Sequence, residues 1–364
     1  MNILHLIPYG VFITRYIDGF TENERYKHCF FIYGDVSAQK NRNIVIPDKH
    51  QKFLKKDIDA SLEELYQIAD IVVFQSIPER STFLSYILEC SEKYNKKIVL
   101  VPWGRELFRT SDLYRHHDEN LIRKVDLQKK LLIEQSDYIA GATPGVRKFI
   151  HENYKIKAKT GWYDSLNLID INDYGVKINQ QKRCNIMLGH RGTTTGGHLD
   201  ALIMLEQIKS EIDEVICPLS YGNREYIDEV DKLGQELFKE KWHPIVKWIE
   251  KDEYLKYLSE QVDIAIFNNS ASEGFTTMLS LLNAGKKLYI NPENDVYALL
   301  EYLGFIVYPW DENVELSNVC TKLDESQLIH NLNCMKKIKT AYEFEKSWIS
   351  VFDELYEIKQ GEKQ

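Results

Sequence analysis

Residues Gly189 to His198 read GHRGTTTGGH, directly after the apolar run Cys184 to Leu188 and before the helix-like stretch Leu199 to Ile208. A glycine-rich turn between a strand and a helix is where an α/β protein holds phosphate. Glycines let the backbone approach an anion, hydroxyls and N–H groups donate to it, and the helix points its positive end at the same place. The stretch has neither the GKS or GKT of a P-loop nor a true GxGxxG. On the loop alone a phosphate site and a plain strand-to-helix turn therefore stand level.

Outward from this loop, short apolar runs alternate with amphipathic stretches. Upstream, strands are expected at Ile3 to Ile7, Cys29 to Tyr33, Ile71 to Gln75, Ile98 to Val101 and Tyr138 to Gly141. Helices are expected at Leu62 to Ala69, Ser81 to Tyr94, Asn120 to Glu134 and Pro144 to Tyr154. The pattern restarts after the polar stretch Asp170 to Arg183. Strands then follow at Cys184 to Leu188, Glu214 to Pro218, Ile245 to Trp248, Ile264 to Phe267 and Lys287 to Ile290.

Such an order predicts an α/β chain of two Rossmann-like, doubly wound domains facing a cleft, the GT-B plan. Residues 1–168 would form an N-terminal Rossmann-like domain and 180–340 a C-terminal one. Residues 341–364 would form a C-terminal helix folding back on the first, with Trp348, Phe352 and Tyr356 as its packing stripe.

Charge is divided unequally. Lys and Arg against Asp and Glu give 26 minus 24, or +2, over residues 1–180, and 20 minus 31, or −11, over 181–364. An acidic chain is a poor nucleic-acid binder, so no nucleic acid is expected, and any anionic membrane would meet the first half. Its basic residues Lys52, Lys55, Lys56, Arg109 and Arg115 are either a membrane contact or a solvated surface. No apolar run approaches the roughly 18 residues of a spanning helix, and no charged leader precedes NILHLIP, so a cytoplasmic location is expected. Six scattered cysteines without CxxC spacing predict reduced thiols, and several fall in apolar runs suited to core packing.

A second motif, FNNSASEGFTT over Phe267 to Thr277, closes a strand and opens the helix Met278 to Ala284. There Glu273 could accept from a ribose hydroxyl while Gly274, Thr276 and Thr277 hold a diphosphate; the plainer alternative is a capped helix with a surface carboxylate. In PLSYGN, Pro218 to Asn223, Tyr221 either stacks on a base or faces the core. His190 and Arg191, with Gly189, Gly192 and Thr193, would neutralise and cradle the departing diphosphate.

Directly after the strand Ile98 to Val101, PWGRELF places Trp103 for a sugar or lipid-linked acceptor, Arg105 for a phosphate and Glu106 as general base, unless the Arg–Glu pair is structural. His5, Asp18 and Asp35 are further base candidates, expected on strand ends. Helix ends, Arg and hydroxyls can carry the diphosphate charge, so no metal and no cofactor are expected. The DxD triplet Asp57-Ile58-Asp59 reads as solvated surface.

PLSYGNREYIDEVDKLGQELF, DEYLKYLSEQVDIAIF and EGFTTMLSLLNAGKKLYINPEN, with VPWGRELF and MLGHRGTTTGGHLDAL upstream, resemble glycosyltransferase family 56. These are the dTDP-4-acetamido-4,6-dideoxygalactose transferases of enterobacterial common antigen synthesis. The resemblance spans most of the second domain and thin patches of the first.

It implies a GT-B fold and transfer of the acetamido-deoxy sugar from a dTDP donor to an undecaprenyl-diphosphate-linked disaccharide in cell-envelope polysaccharide synthesis. It also implies peripheral attachment to the inner face of the cytoplasmic membrane. With the residues above, the expectation is an inverting or similar metal-independent glycosyltransferase whose first domain binds acceptor and whose second binds the nucleotide sugar. Gly189, Gly192, Gly274, Thr277 and Glu106 match the family pattern. His190 and Arg191 stand in place of its Asn-Ser pair, and Glu273 stands where Gln is usual. The alternatives are a UDP-sugar transferase, a nucleotide-sugar epimerase or hydrolase, and a non-catalytic sugar-nucleotide sensor.

Overall fold

The computed structural model describes residues 1–9, 13–20, 25–34, 60–103, 106–107, 119–141, 143–161, 175–176, 184–270, 273–338 and 341–361. The chain divides into two compact units, one of Met1–Leu168 with Thr340–Gln364 and one of Ile169–Lys339.

The first unit carries β1 (Asn2–Pro8), α1 (Ile13–Asp18), β2 (Lys27–Tyr33), α2 (Ala60–Ile68), β3 (Ile71–Gln75), α3 (Ser81–Tyr94), β4 (Lys97–Val101), α4 (Glu119–Gln135), β5 (Tyr138–Ala140), α5 (Pro144–Asn153) and β6 (Lys159–Gly161). Its six strands are all parallel, in the order β2-β1-β3-β4-β5-β6.

Because successive side chains on a strand point to opposite faces, the sheet has two cores. Leu4, Leu6, Val72, Phe74 and Leu100 pack under α2 to α5. Ile3, Ile7, Val73 and Val99 pack instead under Tyr16 and Ile17 of α1 and under Trp348 and Phe352. The last two residues belong to the C-terminal helix, which closes this face. A strand such as IVVFQ is buried at every position for this reason.

The second unit carries β7 (Asn185–Leu188), α6 (His198–Glu206), β8 (Glu214–Pro218), α7 (Arg224–Phe238), β9 (Trp242–Ile245), α8 (Lys251–Gln261), β10 (Ile264–Phe267), α9 (Phe275–Asn283), β11 (Lys287–Ile290), α10 (Asp295–Tyr302), β12 (Tyr308–Pro309) and α11 (Glu325–Ile338). The C-terminal α12 (Ala341–Gly361) belongs to the first unit. The second sheet is also all parallel, in the order β12-β11-β10-β7-β8-β9.

Three expectations change. The strand expected at Ile245 to Trp248 lies earlier, at Trp242–Ile245, because Trp242 is the buried residue that fills the space over Gly234; Val246 and Trp248 are exposed beyond it. Cys184 and Cys320 are joined in a disulfide across 136 residues, whereas all six thiols were expected reduced; Cys29, Cys90, Cys217 and Cys334 are free. His5, expected near a strand end, is fully buried in mid-strand, its Nδ1 2.8 Å from the Tyr16 hydroxyl and its Nε2 2.9 Å from His28 Nδ1. Burial, then the neighbouring His28, holds its pKa well below the ordinary value, so it is a core histidine. No described helix is long and apolar enough to cross a membrane.

Candidate functional site

In the second sheet β7 and β10 are neighbours whose chains leave in opposite directions: β7 leads through α6 to β8, and β10 through α9 to β11. The crevice beyond the carboxyl ends of such a strand pair is where doubly wound sheets bind ligands. Three loops meet there, 189–197 after β7, 219–223 after β8 and, after β10, the described residues 268–270 and 273–274.

Backbone hydrogen bonds knit them. Gly189 N–H donates to Ile266 O (2.8 Å), Gly192 N–H to Tyr221 O (3.0 Å), Asn223 N–H to Gly192 O (2.8 Å) and Ser270 N–H to Thr195 O (3.3 Å). Asn268 Nδ2 donates to Gly197 O at 2.8 Å. The glycines are what this approach demands. A Cβ on Gly222, at φ +136°, would lie 2.0 Å from Gly192 O, and one on Gly197, at φ +62°, would lie 2.4 Å from Asn268 O.

Charged groups on two of these loops pair. Arg191 Nε donates to Glu273 Oε2 at 3.0 Å, and the Arg191 NH2 group donates to Oε1 of the same carboxylate, a two-pronged ion pair between residues 82 apart. His190 Nε2 lies 3.8 Å from Glu273 Oε2. Burial, reinforced by the Arg191 charge, pulls the His190 pKa down to about 3. Near pH 7 burial thus favours the neutral imidazole at His190. It has a hydrogen bond to offer, and Arg191 alone of the two carries charge.

Arg191 also lies over the Tyr221 ring at 5.9 Å, and Tyr221 faces Trp248 with ring centroids 5.9 Å apart. These two rings are 45% and 67% exposed, a large aromatic surface left open beside the loops. Trp248 was missed because its apolar neighbours read as a strand. Tyr221 faces solvent, not the core.

His198, the first residue of α6, was also missed as more than the end of a motif. It is buried among Gly189 and Gly196, and the Tyr226 hydroxyl both accepts from its backbone N–H (3.1 Å) and meets its Nδ1 (3.3 Å). Burial, then His190, lowers its pKa to about 4.

Thr193 Oγ1 accepts from Thr195 Oγ1 at 3.3 Å. Gly274 caps α9 with φ +82°, and Thr276 and Thr277 are half-buried in the first turn, where backbone N–H groups have no acceptor within the helix.

The first-unit candidates are dispersed. Glu106 is buried, and its Oε1 accepts from Trp103 N–H (2.8 Å), Ser76 Oγ (3.1 Å) and Ile77 N–H (3.2 Å), tying the turn after β4 to the turn after β3. Burial raises its pKa against the pull of those hydrogen bonds. Trp103 is exposed. Asp18 is the exposed last residue of α1, and no described contact joins it to Glu106. Asp35, Arg105, Asp57 and Asp59, and the basic residues Lys52, Lys55, Lys56, Arg109 and Arg115, lie outside the described residues.

The family model described as 4-alpha-L-fucosyltransferase, glycosyl transferase group 56, matches residues 82–354. Among solved structures, Anabaena HepE in complex with UDP is similar with a TM-score of 0.65 at 12% identity, over 97% of this chain and 100% of that one. Sucrose-phosphate synthase from Thermosynechococcus elongatus is similar with a TM-score of 0.63 at 9% identity, over 98% and 100%. The apo lipopolysaccharide outer core galactosyltransferase WaaB is similar with a TM-score of 0.60 at 10% identity, over 97% and 100%. At such identities the likeness establishes the fold, which is GT-B.

Proposed function

The chain belongs to glycosyl transferase group 56 and is a glycosyltransferase, and from that premise we propose that its second unit holds a nucleotide-sugar donor at the three loops beyond β7, β8 and β10. The observation that carries this reading is the Arg191–Glu273 pair across the switch point, with helix starts on both sides.

Arg191 and the first turn of α9 meet the diphosphate, an arrangement that stabilises the leaving group without a metal. The exposed ring of Tyr221, backed by Trp248, offers the base a face to stack on. Glu273 accepts from the sugar of the nucleoside. The HepE complex, whose ligand is UDP, supports a nucleoside diphosphate as the class.

The first unit binds the acceptor, and Glu106 takes the proton from its hydroxyl in an inverting transfer. A raised carboxyl pKa suits proton uptake. The donor is a dTDP-linked acetamido-deoxyhexose and the acceptor a lipid-linked oligosaccharide of the cell envelope, reached from the inner face of the cytoplasmic membrane. One observation favours a second reading of the donor: a carboxylate at Glu273 is served better by a full ribose diol than by deoxyribose, which points to a UDP-sugar.

The test is calorimetric titration of dTDP, UDP and GDP into the full chain and into Arg191→Gln. Binding of dTDP or UDP that weakens tenfold or more in the variant supports the site and chooses the base. Absence of binding to all three, or binding indifferent to the variant, rejects it. Donor turnover that needs no acceptor would replace transfer with hydrolysis.

A further inference from the structure

The two loops that carry Arg191 and Glu273 hold opposite charges, and those charges satisfy one another. Arg191 Nε donates to Glu273 Oε2 at 3.0 Å and its NH2 group donates to Oε1, so both carboxylate oxygens fill the guanidinium fork. The same fork is what a pair of phosphate oxygens takes. Both side chains keep some exposure, so a ligand from solvent reaches them. A diphosphate that binds Arg191 through this fork has to displace the Glu273 carboxylate.

That displacement is a side-chain event. The Glu273 carbonyl accepts from Asn269 Nδ2 at 3.4 Å, and the carbonyl of the next residue, the α9 cap Gly274, accepts from Met278 N–H at 2.9 Å. With the backbone held in this way, rotation about the Glu273 side-chain bonds is enough to break the pair. His190 Nε2 lies 3.8 Å from Glu273 Oε2, but burial favours its neutral form, so it adds little charge to the hold.

We infer that Glu273 is an internal competitor that selects nucleotides over inorganic anions: its carboxylate occupies Arg191, yields it to an arriving diphosphate, and turns to the hydroxyls of the nucleoside sugar. The inference rests on the donor site of the proposed function and adds the specificity of that site. Inorganic phosphate and diphosphate break the pair and leave the carboxylate without a donor. A nucleoside diphosphate breaks the same pair, and its sugar hydroxyls then donate to the freed oxygens. When the nucleotide departs, Glu273 retakes Arg191.

The experiment is calorimetric titration of inorganic diphosphate, UDP and dTDP, without magnesium, into the full chain, Glu273→Gln and Arg191→Gln. Two controls, Asp200→Asn and Glu225→Gln, remove the same charge from exposed carboxylates in the first turns of α6 and α7, and neither has a described contact to Arg191. Melting certifies the fold of each variant.

Glu273→Gln is expected to bind inorganic diphosphate about fivefold more tightly than wild type, as for a partly exposed pair closed about four-fifths of the time. Its affinity for UDP or dTDP should not rise, so the preference for nucleotide over diphosphate falls by about fivefold or more. The controls should leave that preference unchanged. Diphosphate affinity unchanged or lowered in Glu273→Gln, a gain that the controls reproduce, or an equal gain for the nucleotides overturns the inference.

Nucleotide binding that Arg191→Gln weakens, with diphosphate binding indifferent to Glu273→Gln, overturns the competitor and keeps the donor site. Absence of nucleotide and diphosphate binding in every protein overturns both. A further measurement needs only folded wild type: the Arg191 Nε–H nuclear resonance, identified by its loss in Arg191→Gln, should shift with added diphosphate as its acceptor changes from carboxylate to phosphate. A resonance unmoved at saturation overturns the exchange.

Discussion

His190, in the loop after β7, and His198, at the start of α6, have pKa values of about 3 and about 4, lowered first by burial. An unfolded chain returns both to the ordinary value near 6.5. Below pH 6.5 the unfolded state therefore takes up protons that the folded state refuses. Their contribution to stability is complete above that pH and is lost as pH falls toward the folded values. At pH 5, about 1.5 units below the unfolded pKa, each costs about 2 kcal/mol and the two about 4 kcal/mol.

The measurement is urea unfolding at pH 7 and pH 5 for wild type, His190→Asn, His198→Asn and the double variant. His5 and the carboxylates add their own pH dependence to all four proteins, so the quantity compared is the drop from pH 7 to pH 5. Each single substitution should shrink that drop by about 2 kcal/mol and the double by about 4 kcal/mol. A drop that the substitutions leave unchanged, or imidazole proton resonances that titrate near pH 6.5 in the folded protein, would refute the neutral assignment and restore His190 as a cation.

Replacing Gly222 with Ala forces a Cβ to 2.0 Å from the Gly192 carbonyl oxygen at a φ of +136°; a loss of about 1–3 kcal/mol in urea unfolding is expected, with nucleotide affinity falling at least tenfold. A double-mutant cycle on Arg191→Gln and Glu273→Gln should give a coupling of about 1 kcal/mol in stability, shrinking in high salt, because both side chains keep some exposure. Glu106→Ala orphans two backbone N–H groups and the Ser76 hydroxyl, so thermal unfolding should show a loss of about 3 kcal/mol or more, while Glu106→Gln retains an accepting oxygen and loses less. In denaturant without reductant, thiol titration should find four reactive cysteines of the six. Reduction should lower stability by up to about 5 kcal/mol if chain entropy carries the effect of so long a loop.

The α/β plan was legible because a strand buried on both faces of a parallel sheet reads as an uninterrupted apolar run, as in IVVFQ of β3 and IAIF of β10. That rule failed at Ile245 to Trp248. Apolarity there marks an open aromatic surface beside a loop, and periodicity cannot tell such a surface from a strand. The glycine loop was legible for the reason it exists: neighbouring groups need the room its glycines leave, the Ile227 side chain over Gly192 and the Asn268 carbonyl oxygen over Gly197.

Pairings over distance were not legible. Nothing local in GHRG or SEGF says that Arg191 meets Glu273, or that the histidine beside it is buried into neutrality. Cys184 and Cys320 similarly lie 136 residues apart with no spacing signature. Glu106 was found as a residue but not as the hub of two turns, because its donors come from Ser76 and Ile77 as well as Trp103.

Hydrogen–deuterium exchange of the full chain, with and without saturating dTDP or UDP, addresses the donor site most directly. Slowed exchange confined to residues 189–197, 219–223 and 268–277 is the expected result. Protection confined to the first unit, or saturation without protection of those three loops, would contradict the assignment of the donor to the second unit.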